Sequence, residues 1–291
     1  MVYIVLRNKK VSVAIPASVV SDIPHLRERT SKIGFIGRSA AIFGVEEIII
    51  YQDTLEANQK ADADLIFTLL CYIETPQYLR KRLFRLKPEL RYAGILPPLR
   101  TPHHPLNQQI KGLNIGEYRE GVVVSKSKKG AFVDIGVEKA ALVPKVQATL
   151  GKRVTVRIEN VSKHVVARLA DRSEIPFYWG YNVVKWLGSF GEMVKERMFD
   201  LKIATSKYGF PFAECKDKIA EKWSKANTVL VAFGAPAHGL YELAKHEGLN
   251  LDDLVDFVVN TVPNQKTETV RTEEALMASL AVLNVVFGFK V

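Results

Sequence analysis

Apolar positions in the first fifteen residues, MVYIVLRNKKVSVAI, fall into two short runs, 2–7 and 11–15, around a polar turn at 7–10, and each run reads as a strand. The pattern lengthens to helical spacing in parts of 22–43. Glu47–Tyr51 (EIIIY) then forms an apolar, β-branched run of the kind found in parallel strands buried on both faces. Helical spacing resumes over 60–73 and over a basic stretch at 77–86. Strand–helix–strand–helix alternation predicts an α/β layer architecture. The segment PPLRTPHHP (97–105) holds four of the chain's 13 prolines and predicts a stiff, extended connector. From 116 to 170 the texture is all-β, with two β-branched runs in GVVVSKSKKGAFVDIGVEKAALVP and two more in KRVTVRIENVSKHVVARLA. After 171, helices are expected near 180–198 and 214–225, strands at 228–233 and 255–259, and a final helix over 272–286. An all-β stretch inside an α/β chain predicts an insertion, with 103–170 interrupting a discontinuous domain made of 1–102 and 171–291.

Charge changes this picture more than composition does. The 291 residues are 47% hydrophobic and 25% charged, ordinary globular values that exclude wholesale disorder. The net charge is +10, but residues 76–102 contribute +6 and residues 103–170 contribute +7, leaving −3 for everything else. A basic excess confined to one contiguous third of the chain points to a polyphosphate partner. Two cysteines, Cys71 and Cys215, make neither a disulfide framework nor a thiolate metal site. The nearly apolar run 275–289 is 15 residues long, too short to span a bilayer, and the amino terminus lacks the pattern of a signal peptide. These features predict a soluble, cytoplasmic protein. A helix-turn-helix or zinc signature for DNA binding is lacking.

Three stretches carry candidate chemistry. In the all-β segment, Lys126, Lys128 and Lys129 occupy the first hairpin turn and offer phosphate contacts, and Phe132 is a candidate platform for a stacked base or, equally, a core residue. In VLVAFGAPAHGL (229–240), an apolar strand runs directly into a small-residue loop. There Gly234, Ala235, Pro236 and Gly239 let backbone approach a ligand. In VVNTVPNQKTETVRTEEALMASLAVLN (258–284), a strand, an irregular loop and a long helix follow one another. Thr272 is the expected N-cap of that helix, and Leu276, Leu280, Leu283 and Phe287 recur at core spacing. Loops at the carboxyl ends of parallel strands are where α/β folds bind ligands. His103 and His104 have no nearby acidic or Cys partner in sequence and read as linker or RNA-contact residues, while His238 is open between core, solvent and substrate roles.

The segment 121–144 resembles an S1-like member of the OB-fold family, which implies a five-stranded barrel. Read in order, AGILPPLRTPHHP, EIPFYWGY, KIATSKYG, FGAPAHGL and NTVPNQ...TVRTEEA closely resemble the SPOUT superfamily of RNA methyltransferases. The chain of that superfamily forms a deep trefoil knot near its carboxyl terminus. The fit is to the archaeal and eukaryotic branch in which an OB-like domain interrupts the knot domain, and TVRTEEA also resembles bacterial enzymes that methylate uridine N3 in ribosomal RNA. The resemblance implies S-adenosylmethionine held by three loops. The first contributes Gly234, Ala235 and Gly239; the second Asn260, Thr261, Val262, Pro263 and Gln265; the third Val270 and Thr272. It also implies cofactor contacts from Ala204 and Thr205. Human-type members have glycine where Ala204 stands and arginine where Val184 stands.

Methyl transfer of this kind needs no metal, only alignment of the methyl carbon with its acceptor. A uridine N3 acceptor loses its proton, so the negative charge developing on O2 or O4 needs a cation or a hydrogen-bond donor. Arg38, in SKIGFIGRSAAIFGVEEIII, resembles the active-site arginine of the superfamily, with Arg271 and Glu274 as second candidates for catalysis. The resemblance further implies a homodimer whose active site uses both chains, with ribosomal RNA as partner. The alternative function is an RNA-binding or ribosome-assembly factor that keeps the knot without turnover.

Overall fold

A computed structural model of the chain describes residues 9–54, 59–162 and 164–288. In chain order the elements are β1 (Lys10–Pro16), α1 (Leu26–Ile42), β2 (Glu47–Tyr51), α2 (Lys60–Glu74), α3 (Gln77–Leu83), β3 (Tyr118–Ser127), β4 (Gly130–Asp134), β5 (Ala141–Pro144), β6 (Arg153–Val161), β7 (Val165–Leu169), β8 (Asn182–Lys185), α4 (Phe190–Glu196), β9 (Leu201–Pro211), α5 (Phe212–Lys225), β10 (Thr228–Ala232), α6 (Leu240–His246), α7 (Leu251–Leu254), β11 (Phe257–Asn260) and α8 (Thr272–Phe287). The strand expected at 2–7 lies outside the described residues. Two compact units result. One gathers the described residues of Arg7–Cys71, Glu89–Pro97 and Gly180–Val291; the other gathers Tyr72–Pro88 and Pro98–Trp179.

The first unit is built on a six-stranded sheet in the order β11-β9-β10-β1-β2-β8. Every adjacent pair is parallel. Helices cover such a sheet, so its central strands are apolar throughout: β1 buries every residue after Lys10, and β2 and β10 each bury all but their first. Two corrections to the expected elements arise here. The stretch expected as helix at 180–198 begins instead with β8, an edge strand parallel to β2, and only Phe190–Glu196 is helical. That helix starts where Ser189 accepts from the Glu192 N–H at 3.2 Å and the Glu192 carboxylate returns to the Ser189 N–H at 3.0 Å. At the tail, Arg271 rather than Thr272 is the N-cap of α8, and the Glu274 carboxylate accepts from the Arg271 N–H at 3.0 Å.

Strand β9, which the hydrophobic pattern did not announce, decides the shape of the sheet's carboxyl edge. Its Ala204 pairs with Val258 of β11, yet the next β11 residue, Val259, pairs with Phe210. Thr205 to Gly209 therefore bulge out of register. Gly209 closes the bulge: a Cβ there would lie 2.8 Å from the backbone of Val258 and Val259.

The second unit is a closed five-stranded barrel, β3-β4-β5-β7-β6. Period-2 alternation fills it with Val123, Ala131, Val133, Val143, Val156, Ile158 and Ala167, all 1% exposed or less. Phe132 falls between two inward residues and so faces outward, half-buried, which removes the reading that it packs in the barrel core. Gly130 sits at φ 144°, where a Cβ would meet the Val143 carbonyl oxygen at 2.1 Å, so only glycine turns this hairpin.

The expected linker or RNA-contact role of the paired histidines is also corrected. His103 is fully buried, with Nε2 3.1 Å from a Glu74 carboxylate oxygen, and His104 Nε2 reaches the Glu74 carbonyl at 2.6 Å. Arg153 bridges Glu74 and Glu120 at 2.6 Å each, and Glu120 also accepts from Thr155 and the Trp179 indole. Burial alone would raise the Glu74 carboxyl, but hydrogen bonds from His103 and the Arg153 guanidinium outweigh it and hold the group at about 2. Burial, with His103 beside it, pushes His104 down to about 3. Among the described residues no helix is long and apolar enough to cross a membrane.

Candidate active site and nucleic-acid surface

At the carboxyl ends of β9, β10 and β11, neighbours in the sheet, the chain leaves the strands in loops that enclose a cleft of about 390 Å³. Each wall is pinned by a specific bond. The Tyr51 phenol, kept protonated by burial, donates to the Phe233 carbonyl at 2.7 Å and fixes the start of the Gly234 loop. Thr272 donates its hydroxyl to the Gly234 carbonyl at 3.1 Å, tying the start of α8 to the same loop. Asn260 donates to the Lys207 carbonyl at 3.1 Å while its own Oδ1 accepts from the Val262 N–H at 3.0 Å, which turns the chain away from β11. Thr261 meets Ser279 of α8 at 2.7 Å, and Thr205 donates to the Ala232 carbonyl at 2.9 Å. Asn264 adopts φ 59°, a left-handed turn that asparagine tolerates.

Of the residues expected to hold a cofactor, Thr205, Gly234, Ala235 and Gly239 line this cleft, as do Asn260, Thr261, Val262, Gln265, Val270 and Thr272. Pro263 is exposed and outside the lining, and Ala204 is fully buried in the sheet core behind it. Val184 stands on β8, at the opposite sheet edge. Gly239 is an exposed lining residue, and a Cβ added there would touch nothing within 4 Å. Among the described residues nothing hydrogen-bonds to the Val270 peptide group, so its donor and acceptor remain available to a ligand.

Of the catalytic candidates, Arg271 lines the cleft and Glu274 caps α8 beside it. Arg38 is half-buried on α1 and lines neither the cleft nor its neighbour. A different cation on that helix does: Lys32, its side chain 5% exposed, has its ammonium 3.5 Å from Asp22 and 3.3 Å from Glu273. Asp22, Lys32 and Arg271 also line an adjoining groove of about 670 Å³ together with Glu28, Ser31, Phe35 and Glu274. Lys32 was legible in principle, since it stands four residues before Ile36 and eight before Ala40 on the buried face of α1. A lysine at such a position is rarely buried unless paired. Lys207 and Tyr208, contributed by the β9 bulge, had no comparable signal. His238 settles at the surface, 42% exposed, with Nδ1 2.9 Å from Glu242.

In the barrel unit, four arginines are held in ion pairs, whereas Arg85, Arg100 and Arg157 are exposed. Arg119 is 1% exposed and paired to Glu117, Arg153 is paired to Glu74 and Glu120, Arg82 to Asp134, and Arg168 to Glu174. Lys126, Lys128 and Lys129 are exposed, and the Lys145 N–H donates to the Lys129 carbonyl at 3.1 Å, which adds a fourth exposed ammonium to the same hairpin.

A parallel sheet with a ligand-sized cleft at its strand ends, in one chain with a lysine-bearing barrel, defines the general class: an α/β ligand-binding fold that also carries an electrostatic footprint for polyphosphate. The chain belongs to the family described as "Putative RNA methyltransferase", whose model matches residues 10–283. It is 34% identical to the 28S rRNA (uridine-N(3))-methyltransferase of Drosophila melanogaster, over 94% of this chain and 61% of that protein. To the Homo sapiens protein of the same description it is 34% identical, over 95% of this chain and 78% of the other. An uncharacterized protein of Haloarcula marismortui is 33% identical, over 94% of this chain and 98% of its own length. The chain thus spans under two thirds of the fly protein. Membership in this family implies a methyl donor.

Proposed function

We propose that this chain transfers a methyl group from S-adenosylmethionine to N3 of a uridine in ribosomal RNA. The observation that carries the reading is the cleft at the ends of β9, β10 and β11, where small side chains and a free peptide group at Val270 meet in one cavity. The family match and the names of the fly, human and mouse relatives support RNA and uridine N3 as acceptor. The donor's sulfonium supplies an electrophilic methyl group; everything else falls to the chain. The Val270 peptide group, the Val262 carbonyl and the Thr272 backbone would read the adenine edge, the Val262 N–H being held by Asn260, and Gly239 would leave its volume to the ligand. Lys32 and Arg271, the cations shared by the cleft and the adjoining groove, face the charge that develops on the uracil oxygens as N3 loses its proton. Arg38, which does not line the cleft of its own chain, takes that role if a second protomer completes the site.

Three finer features belong to the same proposal. The barrel's sequential order 1-2-3-5-4 supports an OB-type module that grips RNA through the hairpin lysines. A homodimer is supported by Phe35 and Ile42 on α1 and Val285 and Val286 on α8, all 43–81% exposed. A knotted tail is supported by the ties of Thr272 to Gly234 and of Thr261 to Ser279, which hold α8 against the loops that follow β10 and β11. Calorimetry with S-adenosylmethionine and transfer of labelled methyl to ribosomal RNA, read by nucleoside mass spectrometry, test the function. Binding of the donor with 3-methyluridine as product is expected, and failure to bind the donor removes the enzyme reading.

A further inference from the structure

The β9 bulge does more than shape the cleft wall. It pins its backbone at several points: the Thr205 hydroxyl to Ala232, the Lys207 carbonyl to Asn260, the Tyr208 N–H to the Ser206 hydroxyl at 3.1 Å, and Gly209 flush against β11. From this fixed backbone the Tyr208 ring stands 75% exposed at the cleft mouth, with the Lys207 ammonium 5.2 Å from its centroid. A large aromatic side chain left in water on a rigid mount gains nothing for folding. It loses little freedom when a flat ligand covers it. The ring also cannot serve a ligand enclosed by the 234–239 and 260–265 loops alone, because most of its surface faces outward.

We propose that Tyr208 is the stacking platform for a pyrimidine base of single-stranded RNA entering the cleft, and that Lys207 meets the adjoining phosphate. A nucleobase offers a π-face to the ring and its phosphate offers a negative charge to the ammonium, and the two recognition groups are adjacent in sequence as base and phosphate are in RNA. This deepens the methyltransferase reading, since it names the residues that receive the acceptor, but its test requires no turnover.

The experiment uses the full chain with a labelled oligouridylate read by fluorescence anisotropy, and S-adenosylmethionine binding read by calorimetry. Tyr208→Ala should weaken oligouridylate binding about 10- to 100-fold. Tyr208→Phe, which keeps the ring face, should stay within about 3-fold of the wild type, and donor affinity should be unchanged in both. Irradiating the complex made with a 4-thiouridine oligonucleotide should crosslink the peptide that contains Tyr208. Equal loss of donor and RNA binding would make the ring part of the cofactor pocket and overturn the proposal. So would a Phe variant as weak as the Ala variant, or crosslinks confined to the barrel. A wild type that binds both ligands and yet transfers no methyl group would instead sink the enzymatic reading and leave the Tyr208 series to stand on binding.

Discussion

At the centre of the sheet unit, β1, β2 and β10 bury their side chains, and Lys32 is the one buried charge of that unit among the described residues. The barrel unit instead keeps Glu74, Glu120, Arg119 and His103 at 6% exposure or less; the half-buried Arg153 joins Glu74 to Glu120, His103 meets Glu74, and Arg119 pairs separately with Glu117. The difference tracks what each unit does with charge. In the barrel unit the buried carboxylates are answered by Arg153, His103, Thr155 and Trp179, and the two histidines tie the Pro-rich connector to Glu74. In the sheet unit the single buried ammonium lies at the cleft, held between Asp22 and Glu273. A buried charge is structural where a network answers it and marks a site where it opens onto a cavity.

Breaking the network should therefore cost stability without touching donor binding. Glu74→Gln leaves the Arg153 guanidinium and His103 partly unanswered and should destabilise the barrel unit by about 3 kcal/mol in chemical denaturation. Next in size is a pair of glycine substitutions with opposite readouts. Gly130→Ala forces a Cβ into the Val143 carbonyl and should cost about 2–3 kcal/mol of barrel stability. Gly239→Ala, at φ −70° and with open space around it, should leave stability within about 0.5 kcal/mol while lowering affinity for S-adenosylmethionine in calorimetry.

Acid should separate the two units. His104, depressed from 6.5 to about 3, remains neutral in the folded barrel while the unfolded chain takes up a proton, so its contribution is complete above pH 6.5 and is lost as pH falls toward 3. Glu74, lowered from 4.5 to about 2, contributes fully above pH 4.5 and loses that contribution on the way to 2. Both slopes have the same sign. The barrel unit should thus weaken by about 2–4 kcal/mol from pH 6.5 to 4, and His104→Asn should flatten that decline in a pH series of thermal melts. The smallest effect on the fold belongs to the combined Lys126→Ala, Lys128→Ala and Lys129→Ala variant. Its stability should be unchanged, while the log–log dependence of RNA affinity on salt becomes shallower by about 2.

How much of this was legible in the sequence follows from the range of each signal. The barrel strands were, because period-2 alternation is local and inward residues such as Ala131 and Val133 announce themselves. So were β2 and β10, whose unbroken apolar runs have few other uses. The loop after β10 was marked by Gly234 and Gly239, whose small side chains stand out beside a buried strand, while Asn260 and Val262 were implied by the family resemblance. Strand β9 was hidden, since Thr205–Gly209 interrupt its pairing with residues that carry no strand pattern. His103 and His104 misled for a similar reason: their partner, Glu74, is about thirty positions away in the chain.

Local sequence pattern, then, determined most of the order of elements, the all-β insertion, the basic excess of one third of the chain and the small-residue loop after β10, because each depends on neighbours within a turn or a hairpin. The five-stranded barrel and the other cleft loops were implied by the family resemblance. Tertiary structure alone decided that Lys32 rather than Arg38 lines the cleft of its own chain, that Arg119 and Arg153 brace the barrel unit, and that Tyr208 stands at the cleft mouth. Those outcomes depend on which distant groups meet. Burial and pairing are properties of the folded surroundings, and no local pattern encodes them.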